Sequence, residues 1–174
     1  MMSLEMMWRV LEYLNEDSTH LIEEMLERWG THTDEIQFFR SSANFLFTFQ
    51  MSNETYFLRF NHESERTAEA TEQELAFVNH LVANGLELAQ PAASLNNKFV
   101  ESVPSTLGTF HAVVFKALEG KQYDLEELSS RQMFEWGSTL GKLHKASSTY
   151  LVSKRPTWQE QLGWIKNYLP EKEV

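Results

Sequence analysis

The chain has no cysteine, which excludes a disulfide scaffold, a thiolate metal site and a cysteine nucleophile. Cationic residues are scarce: 15 Lys and Arg stand against 25 Asp and Glu, a formal net charge of -10. Such a chain is a poor general binder of nucleic acid or of an anionic membrane. It can still hold an anion locally with a few basic groups or backbone amides. No apolar run of about 18 residues occurs, so no membrane span is expected. The opening stretch MMSLEMMWRVLEYLNED is amphipathic and acidic rather than a signal peptide, which points to the cytoplasm. Without a secretory signal, the sequon at Asn53 carries no weight. Internal repeats and low-complexity tracts are also missing. What is present is apolar and aromatic: 42% hydrophobic and 13% aromatic residues, enough for the core of one domain, or of one domain and part of another.

Helical spacing runs over residues 3–15 and 18–29, where Leu21, Ile22, Met25, Leu26 and Trp29 form one stripe. Gly30 ends it. The texture then changes to alternating, Phe- and Tyr-rich strand texture. Turn residues in RSSAN and MSNE divide it into three strands near 34–40, 43–51 and 54–61. A helix over 64–84 stops at ANG, with Gly85 as its C-terminal glycine. Two short extended pieces follow, near 91–95 and 98–102. FHAVVFKAL, 110–118, is a further strand with an apolar centre on both faces. The polar stretch EGKQYDLEEL leads to a helix over 129–148, and a last helix begins at RPTWQEQ.

On the 64–84 helix, Ala70, Phe77, Val78, Leu81 and Val82 are the apolar positions. Glu74 lies four residues after Ala70 and seven before Leu81, on the same face. An unpaired buried carboxylate costs several kcal/mol, on the order of a domain's net stability. Glu74 therefore needs a cationic partner or the edge of a cleft. Arg59 in the third strand is the nearest candidate, since a following helix packed on that sheet can bring the two together. The plainer reading is a solvated helix face with one glutamate at the margin of its stripe.

A three-stranded meander with a basic residue near the end of its third strand, then a helix glutamate, two more strands and an apolar linker resembles the small lobe of the protein-kinase-like fold. In protein kinases a lysine–glutamate pair at these places holds the ATP phosphates. The pieces SSANFLF, YFLRF, EQELAFVNHLVANGLELAQPAAS, FHAVVFKALEGK and LGKLHKASSTY, over about residues 34–150, are similar in order and spacing to the aminoglycoside phosphotransferase and choline kinase group. The resemblance implies an α+β fold. A five-stranded antiparallel sheet with one packed helix would span 31–118, after N-terminal helices over 1–30 and before a linker and the first large-lobe helices over 119–174. It also implies a nucleotide site. Arg59 would take the place of the phosphate-gripping lysine, with Glu74 as its partner. Ser41, Ser42 and Asn44 would cover phosphates where protein kinases use glycines, although RSSAN also reads as a plain hairpin turn. Backbone groups from Lys116 to Leu118 would meet adenine, with Phe115 behind the ring.

The implied reaction is transfer of the ATP γ-phosphoryl group to the hydroxyl of an unspecified small molecule, with Mg2+. The resemblance also implies an HGDxxxxN loop and a later metal-binding aspartate, and neither pattern occurs in these residues. Asp17, Asp34 and Asp124 are the only aspartates, and none has that context. No catalytic residue and no metal ligand is therefore assigned. The expectation is a nucleotide-binding portion of a kinase, inactive alone, as a fragment or truncated product. Its exposed apolar helices would favour self-association. The alternatives are a degenerate kinase-like module acting by interaction, or an unrelated α+β binding domain in which Arg59 and Glu74 never meet. His144 reads as a structural hydrogen-bonder, and Gly137 with Gly141 as a place for close backbone packing.

Overall fold

A computed structural model describes residues 4–16, 20–32, 35–121 and 123–151. Its elements are α1 (Leu4–Glu16), α2 (His20–Glu27), β1 (Gln37–Ser41), β2 (Phe45–Met51), β3 (Glu54–His62), α3 (Ala68–Ala83), β4 (Pro91–Ala92), β5 (Glu101–Ser105), β6 (Gly108–Lys116), a 3-10 turn (Leu125–Glu127) and α4 (Ser130–Ser148). The strands form one antiparallel sheet in the order β1-β2-β3-β6-β4. The sheet has six strands rather than the expected five. Pro91 and Ala92 pair with Phe115 and Val114, while β5 pairs with the other end of β6, from Ala112 to Gly108. Two short strands thus share one edge of β6, so the sheet is five strands wide.

Local chemistry sets the turns. Ser52 and Asn53 both adopt positive φ, 53° and 62°, between β2 and β3. Two successive positive φ angles belong to the hairpin turns whose twist matches that of the strands. At the end of α3, the Gly85 amide donates to Val82 O and the Leu86 amide to Leu81 O. Gly85 has φ 82° there, a conformation glycine adopts without steric cost. Leu81 and Leu86 pack together beyond the turn.

Strand alternation sorts the side chains of the sheet. Phe45, Phe47, Phe49, Leu58, Phe60, Val103, Phe110, Ala112 and Val114 point to one face and are buried there with Val10, Leu21, Ile22, Met25, Leu26 and Trp29 of the N-terminal helical segment. More than one helix therefore packs on the sheet, a correction to the single packed helix expected. The α2 stripe reads as anticipated, and Trp29 Nε1 donates to Ala92 O at 2.9 Å. The opposite face carries α3, where Leu75, Val100 and Val113 are buried with Ala68 and Phe115 against them. The central strand β6 is thus covered on both faces, as its apolar AVVF centre requires.

The buried line of α3 is Thr71, Leu75 and Leu81, while Ala70 is exposed. In the first half of the helix the buried line lies one residue beyond the stripe drawn from spacing, which places Glu74 at its margin, while Leu81 is buried as expected with Phe77 against it. α4 packs on α3 away from the sheet. Ala146 and Leu143 meet Leu81 and Phe77, and His80 Nε2 donates to Ala146 O at 3.0 Å. The ring of Tyr150 lies against Phe77 and His80. The final helix expected from RPTWQEQ falls outside the described residues. No described helix is long and apolar enough to cross a membrane.

Candidate functional site

Arg59 lies opposite Leu46 of β2 and Val113 of β6. Its neighbours Leu58 and Phe60 point into the aromatic core, so period-two alternation turns Arg59 toward α3. Glu74, two turns into α3, meets it there. Arg59 Nη1 donates to Glu74 Oε1 at 2.6 Å, with the two side chains only 13% and 18% exposed. The other carboxylate oxygen, Oε2, accepts from Arg66 Nη1. Phe115 lies under the guanidinium, whose Cζ is 5.0 Å from the ring centroid.

The charges do not cancel, because two guanidinium groups share one carboxylate. The Nη2 of Arg59 is buried and has no hydrogen-bond partner among the described residues. A buried donor left unpaired costs about 1–3 kcal/mol. A cationic donor held in place and left unpaired is suited to an anionic acceptor brought by a ligand.

The hairpin between β1 and β2 sits near this cluster. The Ser42 amide donates to Asn44 O at 3.1 Å. Asn61, buried in β3 two residues beyond Arg59, donates from Nδ2 to Ala43 O at 2.8 Å. The loop is thus tied to the strand that carries Arg59. Ser41 and Asn44 are half-buried, and Ser42 is exposed. Asn44 Oδ1 is a second buried polar atom without a partner among the described residues.

At the far end of β6 the chain leaves the sheet. Among the amides expected to face adenine, that of Lys116 donates to Gln90 O at 3.3 Å and that of Ala117 to Thr55 O at 2.9 Å. Both are engaged within the protein. Leu118 is 59% exposed just beyond. Lys116 Nζ pairs with Glu54 Oε1 at 2.5 Å on the surface. The hydrogen bond between them holds the Glu54 carboxyl below the usual carboxylate range and raises the Lys116 ammonium.

The structure therefore gathers Arg59, Glu74 and Phe115 into one contact set and ties the Ser41–Asn44 loop beside it. Lys116 follows Phe115 at the end of β6, and Leu118 lies just beyond the strand. Arg66 and Asn61 were missed in the sequence. Arg66 precedes the Thr67 N-cap and reads there as a loop residue. Asn61 had one usable signal, a polar residue two positions beyond Arg59 and so on the same face of β3. His144 is exposed on α4. A Cβ on Gly137 or Gly141 would meet nothing within 4 Å, so the close packing expected at that pair is not made among the described residues. No group of three His, Asp or Glu among the described residues is placed to hold a metal ion.

The phosphotransferase enzyme family model matches residues 35–172. Amicoumacin kinase of Bacillus subtilis (strain 168) is 28% identical over 161 residues, which cover 88% of this chain and 48% of that protein. Among solved structures, an amicoumacin kinase in complex with AMP-PNP, Ca2+ and Ami superposes with a TM-score of 0.78 at 20% identity, covering 89% of this chain and 48% of the other. A microcompartment-associated aminopropanol kinase gives 0.68 at 16% identity, with 81% and 45% covered. A spectinomycin phosphotransferase in complex with ADP and spectinomycin gives 0.55 at 17% identity, with 84% and 46% covered. The chain spans about half the length of the curated relative it matches. The fold is that of the kinase-like phosphotransferases, and with the family model covering most of its residues the chain belongs to the phosphotransferase enzyme family.

Proposed function

We propose that residues 31–118 form the nucleotide-binding small lobe of an ATP-dependent small-molecule kinase, with residues 119–174 as its linker and first large-lobe helices. The observation that carries this reading is the buried, unpaired Nη2 of Arg59, held beside Glu74 and over Phe115. Arg59 donates to a phosphate oxygen while Glu74 fixes its other branch, a use for which a planar fork of donors is suited. Ser41, Ser42 and Asn44 approach the phosphates from the hairpin. The Leu118 amide and the carbonyls of the linker serve the base, because the Lys116 and Ala117 amides are already used. Lys116 lies three residues along β6 from Val113, the partner of Arg59, about 10 Å by strand rise. That span suits a base at one end and phosphates at the other. Phe115 supports the guanidinium as well as the base.

The reaction is transfer of the γ-phosphoryl group of ATP to a hydroxyl of a small molecule. The relatives' names, two kinases and a phosphotransferase of small molecules, support this reading over a non-catalytic module. Mg2+ would neutralise phosphate charge in that chemistry. The described residues assemble no ligand set for it, so no step here runs through the metal. The test is binding of ATP and adenosine to the purified chain, followed by the fluorescence of its tryptophans. ATP should bind more tightly than adenosine, and Arg59→Ala should remove most of the difference. Equal binding of the two ligands would overturn the reading.

A further inference from the structure

β1 is irregular. Phe38 pairs with Phe47 and Arg40 with Leu46, so Phe39 and Arg40 together stand against one residue of β2. In such a bulge the extra residue breaks the alternation and re-aims the side chains around it. The rings record the result. Phe38 lies edge-on to Phe47 on the N-terminal helix face, and Phe39 lies edge-on to Phe57, a β3 residue that alternation puts on the same face as Arg59. Without the bulge Arg40 would share the face of Phe38. With it, Arg40 falls into the cross-strand row Arg40, Leu46, Arg59, Val113.

Residues directly opposite one another in antiparallel strands point to the same side of a sheet. Arg40 and Arg59 therefore stand on one face, two strand spacings or about 10 Å apart. Only the half-buried Leu46 lies between them. Arg40 is exposed and makes no ion pair among the described residues, unlike Arg59 and Arg66. It is also the residue that leads into the Ser41–Asn44 hairpin. In a chain with net charge -10, this brings Arg40 to the sheet face that already holds two arginines on one carboxylate.

We propose that Arg40 is a second phosphate-binding arginine, aimed by the β1 bulge onto the face of Arg59 to grip the nucleotide's phosphate tail from the hairpin side. The inference rests on the nucleotide reading of Arg59. Arg59 is fixed by Glu74 and Phe115 and presents one donor from a set position. Arg40 is free to fold over a ligand and to close its phosphates between β1 and β3. The class of ligand is a nucleoside polyphosphate, because a nucleoside without phosphates has no anionic oxygen to accept from this fork.

The experiment measures ATP and adenosine affinity on the full chain for the wild type and for Arg40→Ala, Arg40→Lys, Arg40→Glu and Arg59→Ala. Arg131→Ala serves as a control that removes an equal charge from an exposed site on α4. A charge-assisted hydrogen bond to phosphate predicts a loss of about tenfold in ATP affinity for Arg40→Ala. The loss should be larger for Arg40→Glu and partly restored in Arg40→Lys. Adenosine affinity and melting temperature should not move, and Arg131→Ala should match the wild type. If Arg59→Ala weakens ATP binding and Arg40→Ala does not, the proposal is overturned while the nucleotide reading stands. If the wild type does not prefer ATP to adenosine, both fall. An equal loss for Arg131→Ala would reduce the effect to net charge and overturn the proposal as well.

Discussion

Glu74 Oε1 accepts a hydrogen bond from Arg59 Nη1 at 2.6 Å although fifteen residues separate them, and its second oxygen is taken by Arg66. Glu74→Ala should leave both guanidinium groups without that acceptor, with Arg59 the more buried of the two. Losing hydrogen bonds to a charged group of this kind costs about 1–3 kcal/mol. Urea unfolding should show that loss. Arg66→Ala should cost less, since its side chain is 35% exposed and Glu74 keeps Arg59. A larger loss from Arg66→Ala than from Glu74→Ala would contradict this order.

Phe60 has no exposed surface and stacks on Phe45 at 5.2 Å and Phe47 at 5.8 Å, with Phe110 edge-on at 5.8 Å. Phe60→Ala should destabilise the fold by about 3–5 kcal/mol, read as a lower denaturation midpoint. Phe39→Ala, at a ring that is 54% exposed, should cost much less. Similar losses at the two positions would show that the core does not lie on the face assigned to it.

Gly108 begins β6 with φ 124°, where an L side chain is strained, and a Cβ there would run into Nε2 of the buried His62. His62 cannot move away without giving up its contacts to Ser64 and the Leu107 carbonyl. Gly108→Ala should therefore cost about 1–3 kcal/mol from backbone strain alone and more if His62 is displaced. Gly137→Ala, in the exposed middle of α4, should stabilise by about 0.5–1 kcal/mol. Melting temperatures should move in opposite directions for the two changes.

The Glu54–Lys116 pair fixes a pH window. The folded carboxyl titrates below its unfolded value, so its contribution is present above the unfolded pKa and is lost as pH falls through the lowered folded one. The folded ammonium titrates above its unfolded value, so its contribution is present below the unfolded pKa and is lost as pH rises through the raised folded one. The difference in stability between wild type and Glu54→Gln should be flat near neutrality and shrink toward both the acid and the alkaline end. Both side chains are about half exposed, so added salt should also shrink it. A difference that grows in acid would contradict the pairing.

Exposed apolar residues on α4 give the last expectation. Met133, Phe134, Trp136 and Leu140 are 44%, 77%, 58% and 44% exposed. The sequence places these four, with Leu143, in an apolar surface together with Trp158, Leu162, Trp164, Ile165 and Leu169; of these Leu143 packs against Leu81 on α3, and the last five lie outside the described residues. Apolar surface of this kind promotes association. The purified chain should bind a hydrophobic dye or sediment above monomer mass, and Phe134→Glu with Trp136→Glu should reduce either signal. An unchanged signal in the double variant would remove α4 as the source.

The order of elements, the aromatic strands and the meeting of Arg59 with Glu74 were legible in the amino-acid sequence. They follow from local regularities: a period of two in β3, a helical period in α3 and turn residues between them. Those periods set which way Arg59 and Glu74 point, and an unpartnered carboxylate beside an apolar stripe is costly enough to demand a cation. Spacing alone still drew the first half of the α3 stripe one residue off and counted Ala70 in it, because a helix stripe has soft edges until a neighbour defines them. Only the tertiary structure could show that Arg66 takes the second oxygen of Glu74, that β4 and β5 share one edge of β6, that the Lys116 and Ala117 amides are used inside the protein, and that a bulge turns Arg40 onto the face of Arg59. The shared edge of β6 and the use of the Lys116 and Ala117 amides depend on register between segments distant in the chain, and that register is set by how the two faces of the sheet are buried as a whole. The Arg66 contact and the β1 bulge join residues close in the chain, but they depend on how neighbouring elements settle against one another, which spacing alone leaves open.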